Sequence, residues 1–169
     1  MKRFFSVFFS LFLASNASAG LFADEDPDAP KWEEETPQLP GFPKEADLRE
    51  FFVSATTPHR YFIDTASLSV GKDGVVRYTL VVHTRGGVTN ITYEGLRCAT
   101  GQFKIYATGH TDGRWVMARQ SAWRPIENNP TYRHHAALSH DYFCPIGNPI
   151  ATPEEGREAL RLGKHPSVN

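Results

Sequence analysis

Residues 61–123 contain five short apolar segments separated by turn sequences, and this pattern restricts the fold more than any other feature of the chain. Asp73-Gly74, Gly86-Gly87 and Asp112-Gly113 stand between segments, and such dipeptides favour tight turns because they tolerate positive φ. Strands joined by tight turns must be antiparallel neighbours. The pattern therefore predicts an antiparallel β-meander of about five strands.

The second segment predicts how the two faces of this sheet differ. Alternate side chains of a strand point to opposite faces. One face is apolar and the other is mixed, which is typical of a sheet covered on one side only. The apolar face carries Val76, Tyr78, Leu80 and Val82, while Arg77, Thr79 and His83 point the other way.

The third segment, NITYEGLRC at residues 90–98, breaks this alternation. Ile91 and Tyr93 are apolar residues at alternate positions. Leu96 and Cys98 are also two positions apart, but their alternation is shifted by one residue relative to the first. Such a slip turns the later side chains to the wrong face unless a β-bulge absorbs one residue. We therefore expect a bulge at Glu94-Gly95, with Tyr93 and Leu96 both reaching the core.

The C-terminal third has helical patterns instead. His135, Leu138 and Tyr142 have helical spacing. Residues 152–155 combine an N-cap threonine, a proline at the first helical position and a capping-box glutamate, and Gly163 ends the second helix. The predicted fold class is α+β, an antiparallel meander covered by short C-terminal helices.

The start of the chain has the pattern of a secretory signal peptide. Lys2 and Arg3 precede an apolar stretch at residues 4–14, and small residues then lead to a cleavage point between Ala19 and Gly20. The alternative is a membrane anchor, but the apolar stretch is about half of the ~20 residues that span a bilayer. We expect export to the periplasm without stable membrane insertion; secretion or cell-surface display is the alternative.

The chain has two cysteines, Cys98 and Cys144. In an exported protein such a pair most simply forms one disulfide. A crosslink that closes a loop of this length stabilises the fold by about 4 kcal/mol. The alternative is two free, reactive thiols, although no C-x-x-C motif supports redox catalysis.

Residues 20–46 are acidic and rich in proline. Such a composition buries too little surface to offset its ordering entropy, which predicts a flexible leader. This leader either is a solvated segment that Trp32 and Phe42 lay partly against the domain, or it spaces the domain or meets a cationic partner. The single α+β domain then spans residues 47–163, and residues 164–169 form a C-terminal tail.

The charge balance restricts the partners. The chain has 18 Lys and Arg against 19 Asp and Glu, a net charge of −1, and cleavage would remove Lys2 and Arg3 and leave −3. This excludes a typical nucleic-acid binder, which needs a clustered basic face. A domain of this size buries roughly two-thirds of its unfolded surface, so we expect no cofactor. The oligomeric state is left open.

No combination of residues predicts a catalytic or metal site. Ser139-His140-Asp141 has the composition of a hydrolase triad, but consecutive side chains on a helix point ~100° apart and do not converge. His134, His135 and His140 also lack the i, i+3 or i, i+4 spacing of helical metal ligands.

Aromatic residues are the best indication of a binding surface. They gather in the last predicted strand and in the helical cover, where most are expected in the core. Those that stay exposed would form a recognition patch. The candidate surface consists of Arg97, Trp115, Trp123, Arg124 and Tyr132.

Several long motifs together resemble the CNP-one-like family, which consists of small exported proteins of Gram-negative bacteria. They are SLSVGKDGVVRYTLVV, NITYEGLRC, KIYATGHTDGRW and DYFCP, in this order, and they cover about residues 45–147. The resemblance implies a bacterial cell envelope and supports the Cys98–Cys144 bond. No activity is assigned to the family, so the resemblance carries no catalytic residue over.

These patterns favour a non-catalytic periplasmic domain that binds an envelope protein or ligand. One alternative is a surface adhesin-like module. Such modules and this chain have the same order of strands and cysteines, and both have a tryptophan late in the sequence. The other is a small periplasmic hydrolase, which requires His83, His110 or His140 as base beside a carboxylate in a cleft.

Overall fold

The computed structural model describes residues 31–168, so the predicted signal peptide and its cleavage point at Ala19 and Gly20 lie outside the described residues. Within that range seven strands form one antiparallel sheet in the order β1-β2-β3-β4-β5-β6, and β7 also pairs with β5. The strands are β1 Leu48–Phe51, β2 Arg60–Val70, β3 Val75–His83, β4 Thr89–Arg97, β5 Gln102–Gly109, β6 Trp115–Met117 and β7 Arg124–Pro125.

The predicted meander is confirmed, since β2 to β6 correspond to the five apolar segments. The turns before β3, β4 and β6 each contain a glycine at positive φ, namely Gly74, Gly87 and Gly113. The two additional strands, β1 and β7, are only four and two residues long. Strands this short carry too few alternating positions to be recognised from sequence, and β7 contains Pro125, which is disfavoured in strands.

The helices cover one face of the sheet. Helix α1, Arg133–Ala137, continues into a π-helical segment, Leu138–Phe143, and α2 comprises Pro153–Leu162. The predicted capping of α2 is confirmed, because Thr152 Oγ1 accepts from the Glu155 amide at 3.2 Å. The core between the sheet and the helices includes Ile63, Leu68, Val76, Tyr78, Leu80, Leu96 and Phe103 from the sheet and Leu138, Tyr142 and Phe143 from the helical segment.

The disulfide joins the sheet to this helical cover. Cys98 immediately follows β4, Cys144 follows the π-helical segment, and their Cα atoms are 5.4 Å apart. The predicted Cys98–Cys144 bond is confirmed, and the alternative of two free thiols is wrong. The crosslink closes a 46-residue separation and fixes the C-terminal segments over the sheet.

The predicted bulge in β4 is wrong. β4 pairs with β3 without interruption from Arg97 to Thr89. The extra residue is Tyr106 in β5, because Tyr93 pairs with Ala107 and Glu94 pairs with Ile105. β4 therefore keeps its alternation.

As a result, Tyr93 and Leu96 point to opposite faces instead of sharing one core. Leu96 packs beneath the helices, while Tyr93 belongs to a second cluster with Tyr106 and Ala107. Both are buried because both faces of the sheet are covered. The prediction of a sheet covered on one side only is wrong.

The second cover comes from the N-terminal segment. Residues from Trp32 onward form one compact unit with the sheet, so packing against the sheet begins before the predicted boundary at residue 47. The predicted tail also packs, since His165 is buried and its Nε2 lies 2.9 Å from Glu155 Oε1. No helix in residues 31–168 is long and apolar enough to cross a membrane.

Candidate functional site

Residues 32–42, which we call the strap, cross the face of the sheet that the helices leave free. The strap has no regular secondary structure and is held mainly through side chains. At one end, Trp115 Nε1 donates to the Pro40 carbonyl at 3.0 Å, and the Phe42 ring packs at 5.4 Å from that of Trp115. A Cβ on Gly109 would lie 2.9 Å from both Phe42 and Ile91, so the close packing of Phe42 on β5 depends on this glycine.

Glu34 is the central contact of the strap. Its carboxylate accepts from Lys104 Nζ at 2.7 Å, from the Tyr106 hydroxyl at 2.8 Å and from Trp123 Nε1 at 3.1 Å. Burial raises the pKa of Glu34, but these three donors outweigh it and lower the pKa below its ordinary value. Burial and the Glu34 charge in turn raise the pKa of Tyr106. The carboxylate is therefore ionised at neutral pH and bound by three convergent donors.

Trp32 lies beside this contact. The Arg97 guanidinium stacks at 3.6 Å from the centre of one Trp32 ring, and the Trp123 ring meets Trp32 edge-on at 6.0 Å. Trp32 Nε1 donates to the Asp73 carbonyl at 2.8 Å. The indole is thus recognised by a cation, a ring edge and a hydrogen-bond acceptor.

A buried ion pair fixes the backbone of the strap. Arg77 and Asp73 pair at 2.5 Å with side chains that are 6% and 1% exposed. Asp73 Oδ2 accepts from the Glu35 amide at 2.9 Å, and Arg77 Nη2 donates to the Glu35 carbonyl at 3.1 Å. The Arg77–Asp73 pair therefore binds both the amide and the carbonyl of Glu35.

The structure divides the five residues of the predicted binding surface between two places. Arg97, Trp115 and Trp123 all contact the strap. Arg124 instead lies 4.9 Å from the Phe103 ring and 5.8 Å from that of Tyr132, which itself packs at 5.5 Å from Phe103 on the helix side. Sequence reasoning missed Glu34 because its acidic, proline-rich surroundings were assigned to a solvated leader.

A second polar cluster lies under the helices. Glu94 Oε2 accepts from His135 Nε2 at 2.8 Å and from the Tyr78 hydroxyl at 3.2 Å, while Thr92 donates to Oε1 at 2.7 Å. Burial raises the pKa of Glu94, but the charge and hydrogen bond of His135 outweigh it and lower the pKa from 4.5 to about 2. Glu94 and His135 are only 1% and 2% exposed, so this pair is shielded from solvent by the helices.

A cavity of about 750 Å³ opens between the segment after β1 and α1, and we call it the groove. Phe52 is 67% exposed here. Arg133 Nη1 donates to Ser54 Oγ and Thr56 Oγ1, both at 3.2 Å, and within residues 31–168 its guanidinium pairs with no carboxylate. The lining includes Phe52, Ser54, Arg133, Ala136, His140 and Asp141.

The three histidines of the hydrolase alternative have different surroundings. His140 lines the groove, and its Nδ1 lies 2.7 Å from Asp141 Oδ1. His83 packs against Phe62 with ring centres 4.8 Å apart, and His110 is exposed at a turn. Of the three, only His140 lies beside a carboxylate in a cavity within residues 31–168. The expectation that consecutive side chains of this segment do not converge is therefore wrong for His140 and Asp141.

Comparison with known proteins gives the chain a family. The model of the CNP1-like family matches residues 27–161, a longer span than the motifs alone, and this span includes the strap. Cryptic neisserial protein 1 of Neisseria gonorrhoeae is 26% identical over 145 residues, which cover 76% of this chain and 71% of that protein. No solved structure matches the chain. Since the family model accounts for most of the sequence, the chain belongs to the CNP1-like family.

Proposed function

We propose that the protein is an exported, non-catalytic binding domain of the bacterial cell envelope and that its ligand binds in the groove. The observation that carries this proposal is Arg133, whose guanidinium donates hydrogen bonds only to neutral hydroxyl groups among the described residues. It stands beside the exposed ring of Phe52. A ligand that presents an anionic group next to an apolar surface fits both.

Two features support export. The first 20 residues have the signal-peptide pattern. The Cys98–Cys144 disulfide suits an oxidising compartment such as the periplasm. Cell fractionation with N-terminal sequencing tests this: we expect a periplasmic protein that begins at Gly20, and an unprocessed cytoplasmic protein would contradict the proposal. Protease treatment of intact cells separates this location from the adhesin alternative, because only a surface protein would be digested.

Site-specific photocrosslinking in living cells tests the groove. A photoreactive residue at Phe52 should capture one defined envelope partner, and Arg133→Gln in the same chain should reduce capture at least fivefold. The matched control places the photoreactive residue at Leu162, an exposed apolar position on α2. Equal capture at both positions, or capture that does not depend on Arg133, would refute the groove as the ligand site.

The contact between His140 and Asp141 keeps a hydrolase as the second candidate, because a histidine oriented by a carboxylate can act as a base. Hydrolysis of p-nitrophenyl acetate by wild type and His140→Gln distinguishes the two functions. The binding proposal expects equal background rates. A rate that falls at least tenfold in the variant would favour the hydrolase.

A further inference from the structure

The strap is bound to the sheet as a peptide ligand is bound to a receptor. In residues 32–168, no backbone-to-backbone hydrogen bond joins the strap to a strand. Its described hydrogen bonds and ring contacts run through Trp32, Glu34, the backbone and the carboxylate of Glu35, Pro40 and Phe42. Strands β2 to β5 complete their pairing without it. Removal of the strap would therefore break side-chain contacts and leave the pairing of these strands intact.

The face beneath the strap has the features of a built recognition site. Lys104, Tyr106 and Trp123 aim three donors at one carboxylate, and Tyr106 is only 2% exposed. Gly95 makes room for the Tyr106 ring, because a Cβ there would lie 2.7 Å from its hydroxyl oxygen. A cover that only excluded water would need apolar contacts and no convergent donors.

The charges of the two sides are complementary. Besides the Arg77–Asp73 ion pair, the face presents the basic residues Arg97 and Lys104, and the strap brings the carboxylate of Glu34 to Lys104. Only Glu34 forms an ion pair with the face, while Arg97 stacks on Trp32 and has no carboxylate partner within residues 31–168. The face therefore keeps the capacity to bind a further anionic group.

We infer that this face is a recognition site for an acidic peptide of another protein, in which a tryptophan stands two residues before a glutamate, and that the strap occupies the site in cis. Trp32 and Glu34 show the spacing that the site selects. A tethered segment competes at an effective concentration on the order of millimolar, so the site is closed until the strap is displaced. This site is distinct from the groove, and the inference does not depend on the proposed function.

A labelled peptide with the sequence of residues 31–43 tests the inference by fluorescence anisotropy. The receptor is the full mature chain with Trp32→Ala and Glu34→Gln, which opens the face. We expect this variant to bind the peptide at least tenfold more tightly than wild type, whose site is already filled. Peptides that carry W32A or E34Q should lose at least tenfold in affinity, as should an opened receptor with Lys104→Met.

The controls separate recognition from misfolding and from the groove. Glu33 is exposed and forms no hydrogen bond with the described residues, so Glu33→Gln should leave the site closed as in wild type. Glu34→Gln alone preserves shape and provides a milder opening if the double variant unfolds. Arg133→Gln tests the groove and should not change peptide binding.

Two results would overturn the inference. One is an opened variant with a native circular dichroism spectrum that binds neither the peptide nor its variants. The other is a concentration-dependent dimer of the wild-type chain that the free peptide dissociates, since the occupant would then be the strap of a second copy.

Discussion

The two faces of the sheet are covered by different means. On the helix side, apolar side chains and one disulfide attach α1 and α2, and the polar pair Glu94–His135 is sealed inside. On the other side, the strap is attached by a bound carboxylate, a stacked indole and hydrogen bonds to its backbone. The first cover is covalent and largely apolar, which favours permanence. The second depends on directional polar contacts, which favour specificity and allow exchange.

A single strand supplies both environments. In β4, Glu94 and Leu96 lie beneath the helices, while Tyr93, Gly95 and Arg97 lie on the strap side. Adjacent residues of β4 are buried on opposite faces. A run of consecutive buried residues in one strand therefore indicates that both faces of the sheet are covered. The two covers should therefore respond differently to substitution.

Removal of the disulfide should have the largest effect. We expect Cys98→Ser with Cys144→Ser to lower the free energy of unfolding by about 4 kcal/mol, because the unfolded chain regains the entropy of the 46-residue loop. Urea denaturation measures this loss, and hydrogen exchange should place the lost protection in α1 and α2. A loss below about 1 kcal/mol, or one centred on the strap, would contradict the assignment of the helix side as the covalently fixed one.

Disruption of the buried pair should have the next largest effect. Glu94→Gln removes the carboxylate that accepts from the buried His135 and from Tyr78 and should cost about 3 kcal/mol in chemical denaturation. The matched control is Glu50→Gln, which disrupts the exposed pair with Arg60, whose side chains are 47% and 63% exposed, and should cost less than about 1 kcal/mol. If Glu94→Gln and Glu50→Gln lowered the free energy of unfolding equally, burial on the helix side would not strengthen the contact between Glu94 and His135.

Acidification should weaken the helix side in a defined pH range. Burial and the nearby His135 lower the pKa of His134 from 6.5 to about 4. As the pH falls, the unfolded chain therefore takes up the proton first, and stability should fall by about 2.5 kcal/mol between pH 6.5 and pH 4. Glu94, with a pKa lowered from 4.5 to about 2, adds a further loss below pH 4.5.

Denaturation of His134→Gln across this pH range provides the check. The variant should lose most of the slope between pH 6.5 and pH 4 and keep the loss below pH 4.5. An unchanged slope would assign the acid sensitivity to other groups.

The strap substitution should have the smallest effect on global stability. Glu34→Gln keeps the shape of the side chain but weakens three charge-assisted hydrogen bonds, which should cost about 1–2 kcal/mol. Glu33→Gln should change the free energy of unfolding by less than about 0.5 kcal/mol. If Glu34→Gln cost as much as the loss of the disulfide, the strap would be an integral part of the core and not an exchangeable cover.

The sequence predicted those elements whose signals are local. Turn glycines and alternation located β2 to β6, and residues 152–155 with Gly163 located α2, because tight turns and helix caps depend on a few adjacent residues. The count of two cysteines was enough to predict the disulfide. β1 and β7 were missed because pairing with a longer neighbour, and not their own pattern, makes them strands.

Long-range contacts decided the rest. The composition of residues 32–42 indicates a solvated segment, and only the folded sheet brings together Lys104, Tyr106 and Trp123 around Glu34. The phase change in NITYEGLRC had two possible physical causes, a bulge or a second covered face, and a single strand does not distinguish them. The chain itself determined the meander, the helix caps and the crosslink, because each follows from neighbouring residues or from a simple count. Tertiary structure alone decided which residues cover each face, because burial depends on segments that are far apart in the sequence.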